Sequence, residues 1–368
     1  MAHGELPPLN ITPGAIRFNT DSMKLEYFRI GMEGGDTGSY AGIGNLAAGE
    51  WVQITTDSPD IQTGGTRGLL VGGFHPSGQY LDEIVYINMA TTGNSLSFGE
   101  LTVSDRNHVH SCTSDRTRGI SAGGSKFPGV ITDDIEFVTI ASTGNAVDFG
   151  ANLTGARYSS AVASNGTRGL IVGGHSPAAN QNANIDYITI QSTGVAAQDF
   201  GDLTAARRYF MASFSSSTRG VFAGGGEPGV VNSVDFVTMS TLGNAADFGD
   251  MSAAGDSGHG SSISSNSVRG IRMGGMTPGA TNTIEYFTIA TLGNAKDFGE
   301  LTATAGAHAA AAASSTRCVR FGQGHPAYNN TIEYVQIMST GNSVDFGDIN
   351  TQPTGYSAGL SNGHGGLG

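Results

Sequence analysis

The stretch TRGVFAGGGEPGVVNSVDFVTMSTLGNAADFGDM, residues 218–251, decides how this chain folds. An apolar run, Val221–Ala223, stops at Gly224-Gly225-Gly226, and a short loop with Pro228 leads into the alternating run Val234-Asp235-Phe236-Val237-Thr238. Leu242-Gly243-Asn244 then turns the chain toward Asp247-Phe248-Gly249. Short runs rich in β-branched and aromatic residues, bounded by Gly and Pro, are strands. Outward from this stretch the same frame recurs along the chain. Its arginines, Arg67, Arg118, Arg168, Arg219, Arg269 and Arg317, stand 51, 50, 51, 50 and 48 residues apart. A period of this length is one supersecondary unit that buries its faces only against its neighbours.

Each unit reads as four strands. In the third copy strand b covers Arg168–Val172, c covers Ile185–Ile190 and d runs from Asp199 to Leu203. Strand a, Ser159–Ala163, precedes the Thr-Arg-Gly. The sixth strand a, Ala309–Ala313, has helical propensity, which its place in the repeat overrides. Departures are local: Cys318 and Gln323 replace glycines in copy six, Val85 and Ser97 replace acids in copy one, and copy two carries one extra residue in FGANL. Both cysteines, Cys112 and Cys318, read as small buried hydrophobes, since two thiols make no disulfide framework.

Repeats of about 50 residues with a Gly-Gly after the second strand resemble the kelch repeats of β-propellers. The usual kelch Trp is absent, and Phe98, Phe149, Phe200, Phe248, Phe298 and Phe346 hold a comparable position. The resemblance implies an all-β fold: a six-bladed kelch-like β-propeller over residues 63–368, with a small N-terminal β anchor segment over residues 1–62. The first unit lacks a strand a, and residues 355–363 match a strand a with no b after it, so the C-terminal strand is expected to close blade one and remove both open edges. The recurrent arginines Arg67, Arg118, Arg168, Arg219, Arg269 and Arg317 are expected to be structural. Each is expected to pair with a carboxylate of strand c or d.

Residues 1–62 fall outside the period. Gly14–Thr20 and Lys24–Phe28 form a hairpin pattern, and Glu50–Ile54 a third strand. So small a segment buries too little surface to stand alone, and self-association or docking on a partner follows. The pattern GAIRFNTD, KLEYF, WVQI resembles segments near the N-termini of tailed-bacteriophage fibre and other virion proteins. That resemblance implies a virion location after assembly in the host cytoplasm, contacts with other virion proteins through residues 1–62, and a homo-oligomer, with a trimer favoured.

Composition narrows the remaining classes. A formal charge of −13 with three lysines (Lys24, Lys126, Lys296) repels phosphate backbones, so no nucleic acid is expected. No apolar run spans a bilayer, no secretory leader opens the chain, and no membrane insertion is expected. His75, His175 and His325 fall in equivalent b–c loops of blades one, three and six, too scattered for a metal centre. No Gly-rich loop precedes a helix. No cofactor, no metal and no enzymatic activity are expected; the competing reading is a bacterial carbohydrate-binding or copper-oxidase-like kelch propeller.

In a four-stranded blade the a–b and c–d turns share one face, and the b–c and d–a connections share the other. The c–d turns are nearly uniform Gly-Asn turns, whereas the opposite connections vary. Variable loops on a rigid scaffold are where recognition sits, although plain solvent-exposed loops look the same. Candidate contacts on that face are His75, Tyr80, Phe127, Tyr158, His175, Arg207, Tyr209, His325 and Tyr328, and the expected partner is a host-surface glycan or protein. The chain from the anchor is expected to join the ring on the opposite, uniform face.

Overall fold

The computed structural model describes residues 15–19, 24–30 and 49–53 and, from 66 to 367, all but 79, 103–105, 108–109, 127, 211, 227, 277, 307, 325–326 and 351–353. Contacts divide the chain into two units, Met1–Ser58 and Pro59–Gly368. In the first, Lys24–Ile30 lies between Ile16–Asn19 and Gly49–Gln53 in an antiparallel sheet. Arg17 holds Glu26 at 2.8 Å across the hairpin. Phe28 is buried, and Ile16 and Phe18, two residues apart on one side of their strand, are 64% and 53% exposed.

The second unit is a six-bladed, all-β propeller of antiparallel sheets. Blades two, three, four and six each run a-b-c-d in chain order. In blade one the C-terminal strand Ala358–Ser361 pairs with Arg67–Phe74, so the last strand of the chain lies beside the first strand of the ring. Ala310–Ala313 is extended and pairs with Phe321 to Cys318, the tertiary context overriding alanine's helical preference. Leu, Ile, Val and Phe side chains from adjoining blades form the buried layers between sheets, and both cysteines are buried among them.

What spaces the blades is the repeated Gly-Asn and Asp-Phe-Gly. The amide of the turn glycine donates to the Phe carbonyl of the preceding blade in all six interfaces. The pairs are Gly144 with Phe98, Gly194 with Phe149, Gly243 with Phe200, Gly293 with Phe248, Gly341 with Phe298 and Gly93 with Phe346, at 2.7–2.9 Å. The neighbouring Asn side chain accepts a second bond through Oδ1 from a backbone amide in five interfaces, for example from the Asp202 amide to Asn244 at 3.0 Å. The approach is so close that a Cβ on Gly201 would stand 2.4 Å from the Gly243 carbonyl oxygen.

The exception is the interface between blades two and three. The extra residue of FGANL in blade two faces a c–d turn, Gly194–Ala197, that is also one residue longer and has Val195 where the others have Asn. A Cβ on Gly150 meets nothing nearer than 3.5 Å there. Two insertions compensate across one seam.

The TRG arginines bridge blades too, but not through carboxylates. Each lies 4.3–5.1 Å over the aromatic ring of its own strand c, from Tyr86 to Tyr334. Each Nη1 donates to a carbonyl of the next blade, as Arg67 does to Ile140 at 2.9 Å and Arg317 to Met89 at 3.0 Å. The expected pairing with strand c acids fails on register. Arg168 is opposite Thr189, while Asp186 is opposite Ile171, three rungs or about 10 Å along the ladder. Those acids turn inward instead and accept from a Thr of the preceding blade, such as Thr154 on Asp186 at 2.9 Å, or, for Glu285, from Ser252 at 3.3 Å. In blades three to six each also holds a buried arginine: Arg157, Arg207, Arg272 or Arg320.

The hub departs from symmetry in blade five, which has three strands among the described residues rather than the four expected. Its innermost segment leaves the sheet for the axis. There Ser261 accepts from Cys112 of blade two and donates to Ser160 of blade three, and Ser262 Oγ accepts from Gly359 of blade one. On the a–b turn face, the tail Gly365–Leu367 forms a buried 3-10 turn against the ends of the inner strands of blades three and four. The Gly365 amide reaches Ser265, Arg116 reaches the Leu367 carbonyl at 2.5 Å, and His364 Nε2 lies 3.1 Å from both Ser164 Oγ and the Ser114 carbonyl.

His364 Nδ1 accepts from Gly366, so the neutral ring with its proton on Nε2 fits the site, and burial lowers its pKa to about 4. Buried His259, accepting from the Met273 amide, is lowered to about 3 by burial and then by Arg320 and Arg272. In the unfolded chain both titrate near 6.5, so their contribution to stability is complete above that pH and is lost as pH falls toward 4 and 3. Denaturation followed by circular dichroism should show the midpoint falling through this window, with a shallower fall for His364→Gln. At neutral pH, Gly359→Ala should cost about 2–3 kcal/mol in chemical denaturation, because its Cβ would stand 2.1 Å from the Ala311 carbonyl oxygen of the adjacent strand.

Candidate functional site

The d–a connections carry the five described non-glycine residues with positive φ: Ser159 (54°), Tyr209 (55°), Ser257 (55°), His308 (59°) and Tyr356 (59°). They lead into the inner segments of blades three, four, five, six and one in succession. Their backbones are strung together around the axis. Tyr209 N donates to Ser159 O (3.1 Å), Ser257 N to Tyr209 O (2.6 Å), His308 N to Ser257 O (2.7 Å) and Tyr356 N to His308 O (2.8 Å). A left-handed L-residue costs roughly 1–2 kcal/mol, so five in register persist only because the bonds between blades hold them.

This arc places aromatic rings at the axial end of the variable face. Phe74 meets Tyr356 edge-on at 6.2 Å, and Tyr356 stacks on His308 at 4.2 Å. His308 meets Tyr209 at 5.8 Å, Tyr209 meets Tyr158 at 6.2 Å, and Tyr158 meets His175 at 4.8 Å. Tyr328 joins both Phe74 and Tyr356. All seven side chains are half-buried, each with part of its surface left to solvent.

Polar groups thread the rings. The Tyr158 and Tyr209 hydroxyls are 3.2 Å apart, and Arg208 lies 4.7 Å over Tyr209 while its Nη1 donates to His175 Nδ1 at 2.7 Å. Burial, with Arg208 adding to it, pushes His175 down against the opposing contact of Nδ1 with the Asn180 carbonyl at 3.1 Å. Burial raises the Tyr158 and Tyr356 phenols and pushes Tyr328 up to about 12, so all three stay protonated. Burial also raises Asp256, against the opposing pull of Ser257 and Arg208. Arg208 and Asp256 flank one glycine: the Arg208 amide donates to the Gly226 carbonyl, and a Cβ on Gly226 would stand 3.8 Å from Asp256 Oδ2.

Of the residues singled out from sequence, Tyr158, His175, Tyr209 and Tyr328 come together here. His75 sits at its loop tip, its Nδ1 2.7 Å from Ser77 Oγ, and the preceding Phe74 joins the cluster in its place. Tyr80 pairs through its backbone with Phe74. Phe127 and His325 lie outside the described residues. Arg207 is a correction. It is fully buried, paired with Asp235 and donating to the Ser233 carbonyl at 3.0 Å, and the charge at the face belongs to Arg208. Sequence reasoning missed His308 and Tyr356; the available signal was their place two residues before strand a, beside the register of Tyr158 and Tyr209. Among the described residues no three of His, Cys, Asp or Glu stand close enough to hold a metal ion.

No protein-family model and no curated protein matches this chain.

The adjacent arginines should respond oppositely to truncation. Arg207→Ala leaves Asp235 buried without its cation and should cost about 3–5 kcal/mol in urea denaturation. Arg208→Ala should change stability by about 1 kcal/mol or less, because its partners are half-exposed.

Proposed function

We propose that this chain is a tailed-bacteriophage virion protein, a fibre or appendage subunit, whose kelch-like propeller is a non-enzymatic binding head for the host surface. The observation that carries the reading is the asymmetry of the two faces. One face is built of repeated turns that clasp neighbouring blades. The other gathers seven half-buried rings, with Arg208 and Asp256 among them, at its axial end. Aromatic and arginine side chains on a rigid support supply most binding energy in recognition surfaces.

The virion setting rests on the N-terminal pattern GAIRFNTD, KLEYF, WVQI. Exposed Ile16 and Phe18 on a three-stranded sheet support its use for association, since a sheet this small gains stability by covering such side chains. Residues 1–62 then hold the subunit to its own copies, as a trimer, and to other virion proteins.

Sedimentation of the full chain against a chain beginning at Thr63 tests the arrangement. The full chain should sediment as an oligomer and enter particles. The shortened one should be a monomer with unchanged thermal unfolding that is not incorporated. Equal monomeric behaviour and equal incorporation would overturn the proposal.

A further inference from the structure

We infer that the ring cluster around the axis takes a neutral saccharide, which packs a pyranose face against the solvent-facing parts of these rings and offers its hydroxyls to Arg208, Asp256 and the surrounding phenols. The inference rests on the reading of this face as the recognition surface and gives its ligand a chemical class.

Four observations select that class. Six of the seven rings are Tyr or His, half-buried, so each of those six presents an apolar plane beside a polar edge, matching a sugar's alternation of C–H faces and hydroxyls. A peptide added as a strand needs unpaired backbone donors, but the amides of Tyr209, Ser257, His308 and Tyr356 are already spent on one another. A buried apolar ligand needs a cavity, whereas Gly258–Ile263 fills the axis behind the floor and is buried throughout. A polyanion or an acidic sugar needs an unbalanced cation. Arg208 is engaged by His175 and Tyr209 and lies within the field of Asp256, on a chain of net charge −13. What remains is a donor and an acceptor on either side of Gly226, the arrangement suited to neighbouring hydroxyls.

The test uses the full chain on an immobilised panel of neutral hexose and N-acetylhexosamine oligosaccharides, with sialylated counterparts and a host-cell adsorption assay in parallel. The neutral glycans should be retained. Arg208→Gln, Asp256→Asn and Tyr328→Ala should each weaken retention about tenfold with unchanged melting temperature, while His75→Ala should bind normally. Retention of sialylated glycans alone, or of no glycan, would overturn the saccharide assignment. If adsorption nevertheless fell in the three variants, the face would still be the recognition surface, for a protein receptor. If adsorption and glycan binding both stayed normal in all three, the reading of the face would fall as well.

Discussion

The hydrogen bond from the turn glycine of one blade to the Phe carbonyl of the one before sets the spacing of the whole ring. It brings two backbones within 2.9 Å of each other, and the Gly of Asp-Phe-Gly is what makes room, since a Cβ there meets the facing carbonyl at 2.2–2.7 Å in five of the six interfaces. A ring multiplies any error in blade spacing around its circumference. Six bonds of nearly one length therefore let the C-terminal strand arrive beside Arg67–Phe74 in register. The arginine bridges reinforce the same seams, each combining a ring contact with a bond to a backbone carbonyl of the next blade.

With the rim held this way, the hub is free to be irregular. Blade five gives up its inner strand to fill the axis, and the tail closes the other end. Around that filled axis, five d–a connections take left-handed conformations that an isolated loop would abandon. The aromatic cluster thus follows from the departure from symmetry. Its rings come from four blades and are presented together because their backbones are tied in one arc.

Blade number, strand order and the extended polyalanine strand were legible in the sequence, because each is a property of a single repeat read against its copies. Contacts between repeats were not. Gly-Asn looked like a turn signal sufficient in itself, and only the adjoining blade reveals that its amide and side chain bind Asp-Phe-Gly. Acids recurring in strands c and d suggest carboxylate partners for the TRG arginines, whereas the ladder puts the strand c acids three rungs away. Arg207 and Arg208 are neighbours of one type, and only the direction each side chain takes separates a core ion pair from a surface group. His308 and Tyr356 sit in separate connections 48 residues apart, so their stacking is a fact of ring geometry.

The paired insertions at the seam between blades two and three give the array a fixed address. Elsewhere the c–d turns share one interface chemistry along the rim. At this seam the longer d strand fits only the longer turn, and that turn has lost the Asn that the other interfaces use. The two length changes face each other across one seam, and this sets blades two and three apart as a couple with its own interface. The array is therefore not a set of exchangeable parts. Its blades have a required order, and recombination between repeats that separated this couple would leave two mismatched edges where there had been one matched seam.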